Sequence, residues 1–167
     1  TETLSHIALR RLNGENASPY YTPFDNVRLS LSGESTLVID APLVCDETLV
    51  TNDIAELLPD GRFRILGRKD NVINSGGIKI QIEQVEELLK QILQVPFAVT
   101  SVPHPKFGEA VILLVEAEHP VVDLEQQVAD LLPTYWQPKQ IHYVTKIPHT
   151  GSGKIDRATA KKLASLF

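Results

Sequence analysis

Pro148-His149-Thr150-Gly151-Ser152-Gly153-Lys154-Ile155-Asp156-Arg157 is the stretch on which the reading of this chain turns. A lysine behind two glycines and a serine first suggests a nucleoside-triphosphate P-loop, whose backbone N–H groups cradle phosphates. The spacing rejects it. A P-loop needs glycine five residues before the glycine of its Gly-Lys pair, where this chain has Pro148, and Ser or Thr after the lysine, where it has Ile155. A flexible turn that delivers Lys154 is the remaining functional reading. A lysine ammonium is a compact charge on a long stem, suited to phosphate or carboxylate oxygens that gain charge in a transition state. The competing reading is a plain exposed glycine turn before a helix.

Around that turn the pattern is mixed α and β. Ala158 to Phe167 reads as a short basic helix and Ile141 to Val144 as a strand. Leu124 to Leu132 reads as a helix with Leu124, Val128, Leu131 and Leu132 inward, stopping before Pro133. Phe97 to Val102 and Val111 to Ala117 are strand-like. Ile82 to Leu93 places Ile82, Val85, Leu88, Leu89, Ile92 and Leu93 on one helical face, with charged and amide residues opposite. Tyr135 and Trp136, between Pro133 and Pro138, are expected to pack before the last strand. The first third is β-like: apolar runs Val27 to Leu31, Thr36 to Ile39, Leu49 to Thr51 and Phe63 to Leu66 lie between the turn dipeptides Asn13-Gly14, Ser32-Gly33 and Asp60-Gly61. Asp60-Gly61 is expected to close a hairpin between Ile54-Leu58 and Arg62-Leu66, in a small barrel or meander. The charged stretch Gly67 to Asn71 between apolar runs is a natural linker. The predicted fold is therefore α+β: a β-rich piece over residues 1–66, a hinge over 67–70, and a small domain over 71–167 with a short sheet flanked by helices.

With 43% hydrophobic and 22% charged residues in 167, the chain can bury a core without disulfide or metal staples. Its single cysteine, Cys45, reads as a small apolar filler beside a strand, and the cysteine count favours a reducing, cytoplasmic setting. The five histidines, His6, His104, His119, His142 and His149, lack metal-ligand spacing. A net charge of −5 gives no reason to expect nucleic acid or an anionic membrane as partner, and apolar runs such as Ala110 to Val115 are too short to span a bilayer. The chain has no methionine and opens on Thr1, so we read it as a piece of a longer protein.

The 148–157 segment closely resembles the last signature of the adenylate-forming superfamily, which includes acyl- and aryl-CoA synthetases, peptide-synthetase adenylation domains and firefly luciferases. Gly67-Arg68-Lys69-Asp70-Asn71-Val72-Ile73-Asn74-Ser75-Gly76-Gly77-Ile78-Lys79-Ile80, with Glu83 and Val85-Glu86 behind it, resembles the family's hinge motif, although the usual proline near Ile82 is missing. Leu49-Val50-Thr51-Asn52-Asp53 resembles its aromatic/Thr-Gly-Asp segment, with Asn52 in place of the common glycine and Leu49 in place of the aromatic. Thr1-Glu2 fits the end of its Tyr-Gly-x-Thr-Glu segment, as though a methionine in the variable position preceded Thr1. Phe107-Gly108-Glu109 resembles its Gly-Glu pair, and the Pro133 to Pro138 stretch its Pro-x-Tyr-x-x-Pro connection.

The resemblance implies a role for each matched residue. Lys154 would contact the acyl carboxylate and α-phosphate. Asp53 would accept hydrogen bonds from the ribose hydroxyls, Arg68 and Thr1 would contact the nucleotide, and Glu2 would hold Mg²⁺. Asp70 would be the pivot about which the C-terminal domain rotates, and Gly76-Gly77 would line the pantetheine tunnel. The substrates implied are ATP, a small carboxylic acid and coenzyme A. The phosphate loop, adenine pocket and acyl pocket of this family lie largely upstream of Thr1, so the chain alone is expected to be inactive. Ser5-His6 after Thr1-Glu2-Thr3, with the compact linker, is most similar to o-succinylbenzoate:CoA ligases of menaquinone synthesis. Ligases of medium-chain fatty or aryl acids, a peptide-synthetase adenylation domain and a non-enzymatic binding module are the alternatives.

Overall fold

The structure is a computed structural model that describes Thr3 and residues 5–167, so the assignments to Thr1 and Glu2 fall outside the described residues. The chain divides into two units, Thr1–Asp70 and Asn71–Phe167.

In the first unit β1 (Ala8–Leu9) pairs antiparallel with β2 (Thr22–Pro23). Strands β3 (Arg28–Leu31), β4 (Thr36–Asp40), β5 (Leu49–Leu57) and β6 (Phe63–Arg68) pair antiparallel in sequence order, which is a meander. Val27, Leu37, Ile39, Ala41, Ala55 and Phe63 are its buried core. Two details depart from the sequence reading. Leu49–Thr51 and Ile54–Leu58 are not separate strands: Thr51 is buried and its hydroxyl donates to the Leu37 carbonyl (2.8 Å), so the chain runs on through Asn52 and Asp53. A register shift against β6 between Ile54 and Ala55 takes up the break in alternation. In the β3–β4 turn the left-handed residue is Ser35 (φ +62°) and not Gly33; Ser32 Oγ stabilises the turn by accepting from the backbone N–H groups of Glu34 and Thr36. The Asp60-Gly61 hairpin forms as expected, with Gly61 N–H donating to the Leu58 carbonyl.

The second unit begins at β7 (Val72–Ser75) and β8 (Ile78–Gln81), a hairpin the sequence reading did not identify. After it come α1 (Ile82–Leu89), β9 (Phe97–His104), β10 (Gly108–Glu116), α2 (Leu124–Leu131), β11 (Gln140–Val144) and α3 (Arg157–Ala164). Helix α1 is shorter than expected: it ends at Leu89, and turn bonds such as Ile92 N–H to Leu89 O carry the chain to the still-buried Leu93. Strand β10 is the spine. Strand β9 pairs with it antiparallel from Gly108 to Val115, β11 pairs parallel along Ile112–Glu116, and β7 touches it at Gly108. A parallel neighbour needs a crossover, which α2 supplies.

Ala110 through Val115 are all buried, because this strand has cover on both faces. Val111, Leu113 and Val115 pack with the α1 and α2 residues Val85, Leu89, Leu124 and Val128. Ile112 and Leu114 pack on the other side with Ala98, Val144, Ile147 and the α3 alanines Ala160 and Ala164. Trp136 packs partly buried against the first of these clusters, whereas Tyr135 is 69% exposed and does not pack as expected. The architecture is the α+β arrangement that the sequence predicts, and no helix among the described residues is long and apolar enough to cross a membrane.

Candidate functional site

Lys154 lies between β11 and α3 in a turn closed across its neck. His149 and Ile155 form an antiparallel bridge, Thr150 N–H donates to the Lys154 carbonyl (2.7 Å), and Gly153 N–H donates to the Thr150 carbonyl (2.9 Å). Gly153 takes φ +79°, where a side chain is disfavoured. The backbone is thus stapled, and the freedom expected of a flexible turn resides in the lysine stem. The Lys154 side chain is exposed and has no ion-pair partner among the described residues.

Each foot of the turn is tied to the body of the unit. On the entry side Ile147 is fully buried, and its N–H donates to Glu116 Oε2 (2.8 Å). On the exit side Asp156 N–H donates to the Pro148 carbonyl (2.9 Å), and the Asp156 carboxylate caps α3 by accepting from the Thr159 N–H and hydroxyl. Those two bonds hold the exposed Asp156 carboxyl below its ordinary pKa.

Arg157 then makes a two-pronged contact with Glu86. Its Nη1 and Nη2 donate to Glu86 Oε1 and Oε2 at 2.5 and 2.7 Å, while Val99 N–H donates to Glu86 Oε1 (2.9 Å). Burial works against the Arg157 charge, but the Glu86 carboxylate outweighs it and raises the arginine pKa. The sequence reading missed Glu86 by placing charged residues opposite the apolar face. A signal was present: Glu86 is four residues after Ile82 and three before Leu89, so it shares their face.

In the first unit three of the expected residues come together. Asp53 on β5 is the register partner of Arg68 on β6. Arg68 Nη1 lies 3.8 Å from Asp53 Oδ1, and its Nη2 donates to Asp70 Oδ2 at 3.3 Å, so one guanidinium stands between two carboxylates. All three are roughly half exposed, open to a polar ligand. Asp70 belongs to a 3₁₀ turn, Lys69–Asn71, whose Lys69 pairs with Glu34 (2.6 Å).

Gly76 and Gly77 form the tip of the β7–β8 hairpin with φ +60° and +83°, the primed turn that suits right-twisted strands. Gly76 N–H donates to the Phe107 carbonyl (2.8 Å). A side chain built on Gly77 would meet nothing within 4 Å, so backbone conformation and not crowding within the unit calls for glycine. Phe107 beside this tip stacks on His104 (4.6 Å between centroids), and Lys106 and Lys139 approach its ring at 5.4 and 5.5 Å. Behind it Glu109 accepts from Ser101 Oγ, Lys161 Nζ and Asn74 N–H, tying β7, β9, β10 and α3 together. Among the described residues no group of three or more His, Cys, Asp or Glu could hold a metal ion.

Residues 82–154 match the family model for the AMP-binding enzyme C-terminal domain. The chain is 35% identical over 113 residues to phenyloxazoline synthase of a Mycobacterium species (strain MCS), covering 64% of this chain and 10% of that protein. It is 29% identical over 123 residues to the peroxisomal trans-cinnamate:CoA ligase of Petunia hybrida, covering 71% of this chain and 22% of that protein. The chain therefore spans about a tenth to a fifth of these relatives. The solved o-succinylbenzoate CoA synthetase of Bacillus subtilis, in complex with its acyl-adenylate intermediate, superposes with a TM-score of 0.74 at 20% identity, covering 83% of this chain and 34% of that one.

Proposed function

Since this chain carries the AMP-binding enzyme C-terminal domain and belongs with the adenylate-forming enzymes, we propose that it is the C-terminal part of an ATP-dependent acid:CoA ligase. The observation that carries this is Lys154: an exposed ammonium, without an ion-pair partner among the described residues, at the closing position of a turn whose two feet are fixed to the domain core. In the first half-reaction a carboxylate oxygen attacks the α-phosphorus of ATP, the α–β anhydride bond breaks, and pyrophosphate leaves. Lys154 meets the carboxylate and α-phosphate oxygens and lowers the electrostatic cost of that step. Asp53 and Arg68 hold the ribose and nucleotide, and Asp70 is the pivot between the units. Rotation then withdraws Lys154 and brings the side-chain-free Gly76-Gly77 tip to the adenylate. There the coenzyme A thiol attacks the acyl carbon, AMP departs, and a thioester forms. Thr1 and Glu2 complete the nucleotide and Mg²⁺ contacts in this reading, and no step here depends on them.

For the acid we propose o-succinylbenzoate, on the resemblance of Ser5-His6 and of the linker. The menaquinone pathway and the cytoplasm follow from that choice, with medium-chain fatty or aryl acids as the rivals. A peptide-synthetase-type adenylation domain is the second reading, favoured by the 34% identity over 136 residues to nonribosomal peptide synthetase 7 of Aspergillus fumigatus; its thiol would belong to a carrier protein. The test is acid-dependent pyrophosphate release by the full-length protein across a panel of acids, with and without coenzyme A. Thioester formation on free coenzyme A supports the ligase, and transfer only to a carrier supports the second reading. Replacing Lys154→Ala should cost adenylation about a hundredfold or more and spare thiolation of supplied acyl-adenylate. Equal loss of both half-reactions would remove Lys154 from this role. The 167-residue chain by itself should turn over no acid.

A further inference from the structure

The two-pronged contact between Arg157 and Glu86 is built more rigidly than holding α3 in place requires. Helix α3 is already secured by Ala160 and Ala164, buried against β9 and β10, and by the Asp156 cap. What the fork adds is orientation. A planar guanidinium gripping both oxygens of one carboxylate fixes direction as well as distance. Here the carboxylate is itself fixed, because Glu86 is only 8% exposed and also accepts the Val99 N–H. Arg157 is three residues from Lys154, and the intervening Ile155 and Asp156 are both held by backbone hydrogen bonds or a bridge. The path from the buried carboxylate to the lysine backbone therefore contains no slack segment.

We propose that Glu86, acting through Arg157, is a positioning residue for Lys154: the fork sets the angle at which the turn delivers its ammonium, and so sets the rate of adenylation but not of thiolation. The inference rests on the reading of Lys154 as the adenylation lysine. Glu86 touches no reacting atom in it.

The test uses full-length enzyme bearing Glu86→Gln, which keeps an acceptor for the Val99 N–H but loses the charge, and separately Arg157→Lys, which keeps the charge but loses the fork. Each half-reaction is measured alone: acid-dependent pyrophosphate release for adenylation, and coenzyme A consumption with supplied acyl-adenylate for thiolation. Both variants should lose about tenfold to a hundredfold in adenylation kcat, the range that a displacement of about 1 Å produces, with the KM for ATP little changed and thiolation intact. In a Lys154→Ala background Glu86→Gln should cause no further loss, since the group it positions is gone. A merely structural fork would behave differently: both half-reactions would fall together in both variants, or the loss would persist without Lys154. Either result overturns the inference. Unchanged adenylation in Glu86→Gln beside a crippled Lys154→Ala overturns it alone, while an unimpaired Lys154→Ala enzyme overturns the functional reading beneath it as well.

Discussion

Leu113 and Leu114 are adjacent on β10, both fully buried, and point into different clusters, so their truncation tests whether the lysine turn has a packed foundation. Leu→Ala removes three carbon groups, worth about 2.4 kcal/mol at roughly 0.8 kcal/mol each, and adds a cavity term that depends on how far the surroundings collapse. Leu113 sits among long side chains, including Leu89, Leu93, Leu124 and Leu132, that can lean into the space. Leu114 is ringed in part by Ala98, Ala160 and Ala164, which cannot. We expect Leu113→Ala to cost about 3 kcal/mol and Leu114→Ala about 4 kcal/mol, against less than about 0.5 kcal/mol for Val50→Ala, whose residue is 66% exposed in the first unit. The assay is urea denaturation of the 167-residue chain followed by amide circular dichroism, fitted as two transitions because the two units need not unfold together. Both leucine variants should shift one transition and leave the other in place. A Leu114→Ala cost below about 1 kcal/mol would refute the reasoning, because α3 would then not cover that face and the exit foot of the turn would have no core beneath it.

Four further outcomes follow from particular residues. Arg157→Met strands the Glu86 carboxylate with the Val99 N–H as its remaining donor among the described residues, and should cost about 3–5 kcal/mol. Arg28→Met, in a pair whose side chains are 79% and 41% exposed, should cost under about 1 kcal/mol in the same denaturation series. Gly77→Ala places a Cβ at φ +83° and should cost about 1–2 kcal/mol with no steric contribution, so Gly77→Asn should recover part of the loss in thermal unfolding. For Glu109, burial raises the carboxyl pKa but its Lys161, Asn74 and Ser101 donors more than reverse that, leaving it lowered. A lowered carboxyl stabilises the fold above its unfolded value, near 4.5, and that contribution disappears as pH falls through the folded value. Stability measured downward from about pH 5 should therefore decline more steeply in the natural chain than in Glu109→Gln, and parallel pH profiles would contradict the assignment.

Short contiguous patterns were the legible part of this sequence. The apolar run Val111 to Ala117 read as a strand and lies within β10 but for its last residue, and the failure of 148–157 to meet P-loop spacing pointed to a turn that displays Lys154. What stayed hidden depended on partners distant in the chain. Val72–Ser75 and Ile78–Gln81 are four-residue strands broken by two glycines, too short for alternation to stand out, and they pair because the glycines accept positive φ. Leu49–Leu57 looked like two strands because Asn52 and Asp53 interrupt its apolar pattern, while the hydroxyl of Thr51, bonded across the sheet to Leu37, keeps it one. Glu86 was hidden by a helical reading that separated charged from apolar positions, when its partner lay 71 residues further along. Tyr135 shows the reverse error: proline-flanked aromatics suggested a packed pair, yet only Trp136 finds the core.

Trp136 is the sole tryptophan of the chain, and it belongs to the second unit, half-buried against the cluster around Leu113. The indole therefore acts as an intrinsic optical label confined to one of the two units. Its emission is expected to shift to the red when that unit opens, whereas the first unit's tyrosines are Tyr20 and Tyr21. The opening of the lysine-bearing unit can accordingly be followed in unmodified protein by exciting one ring.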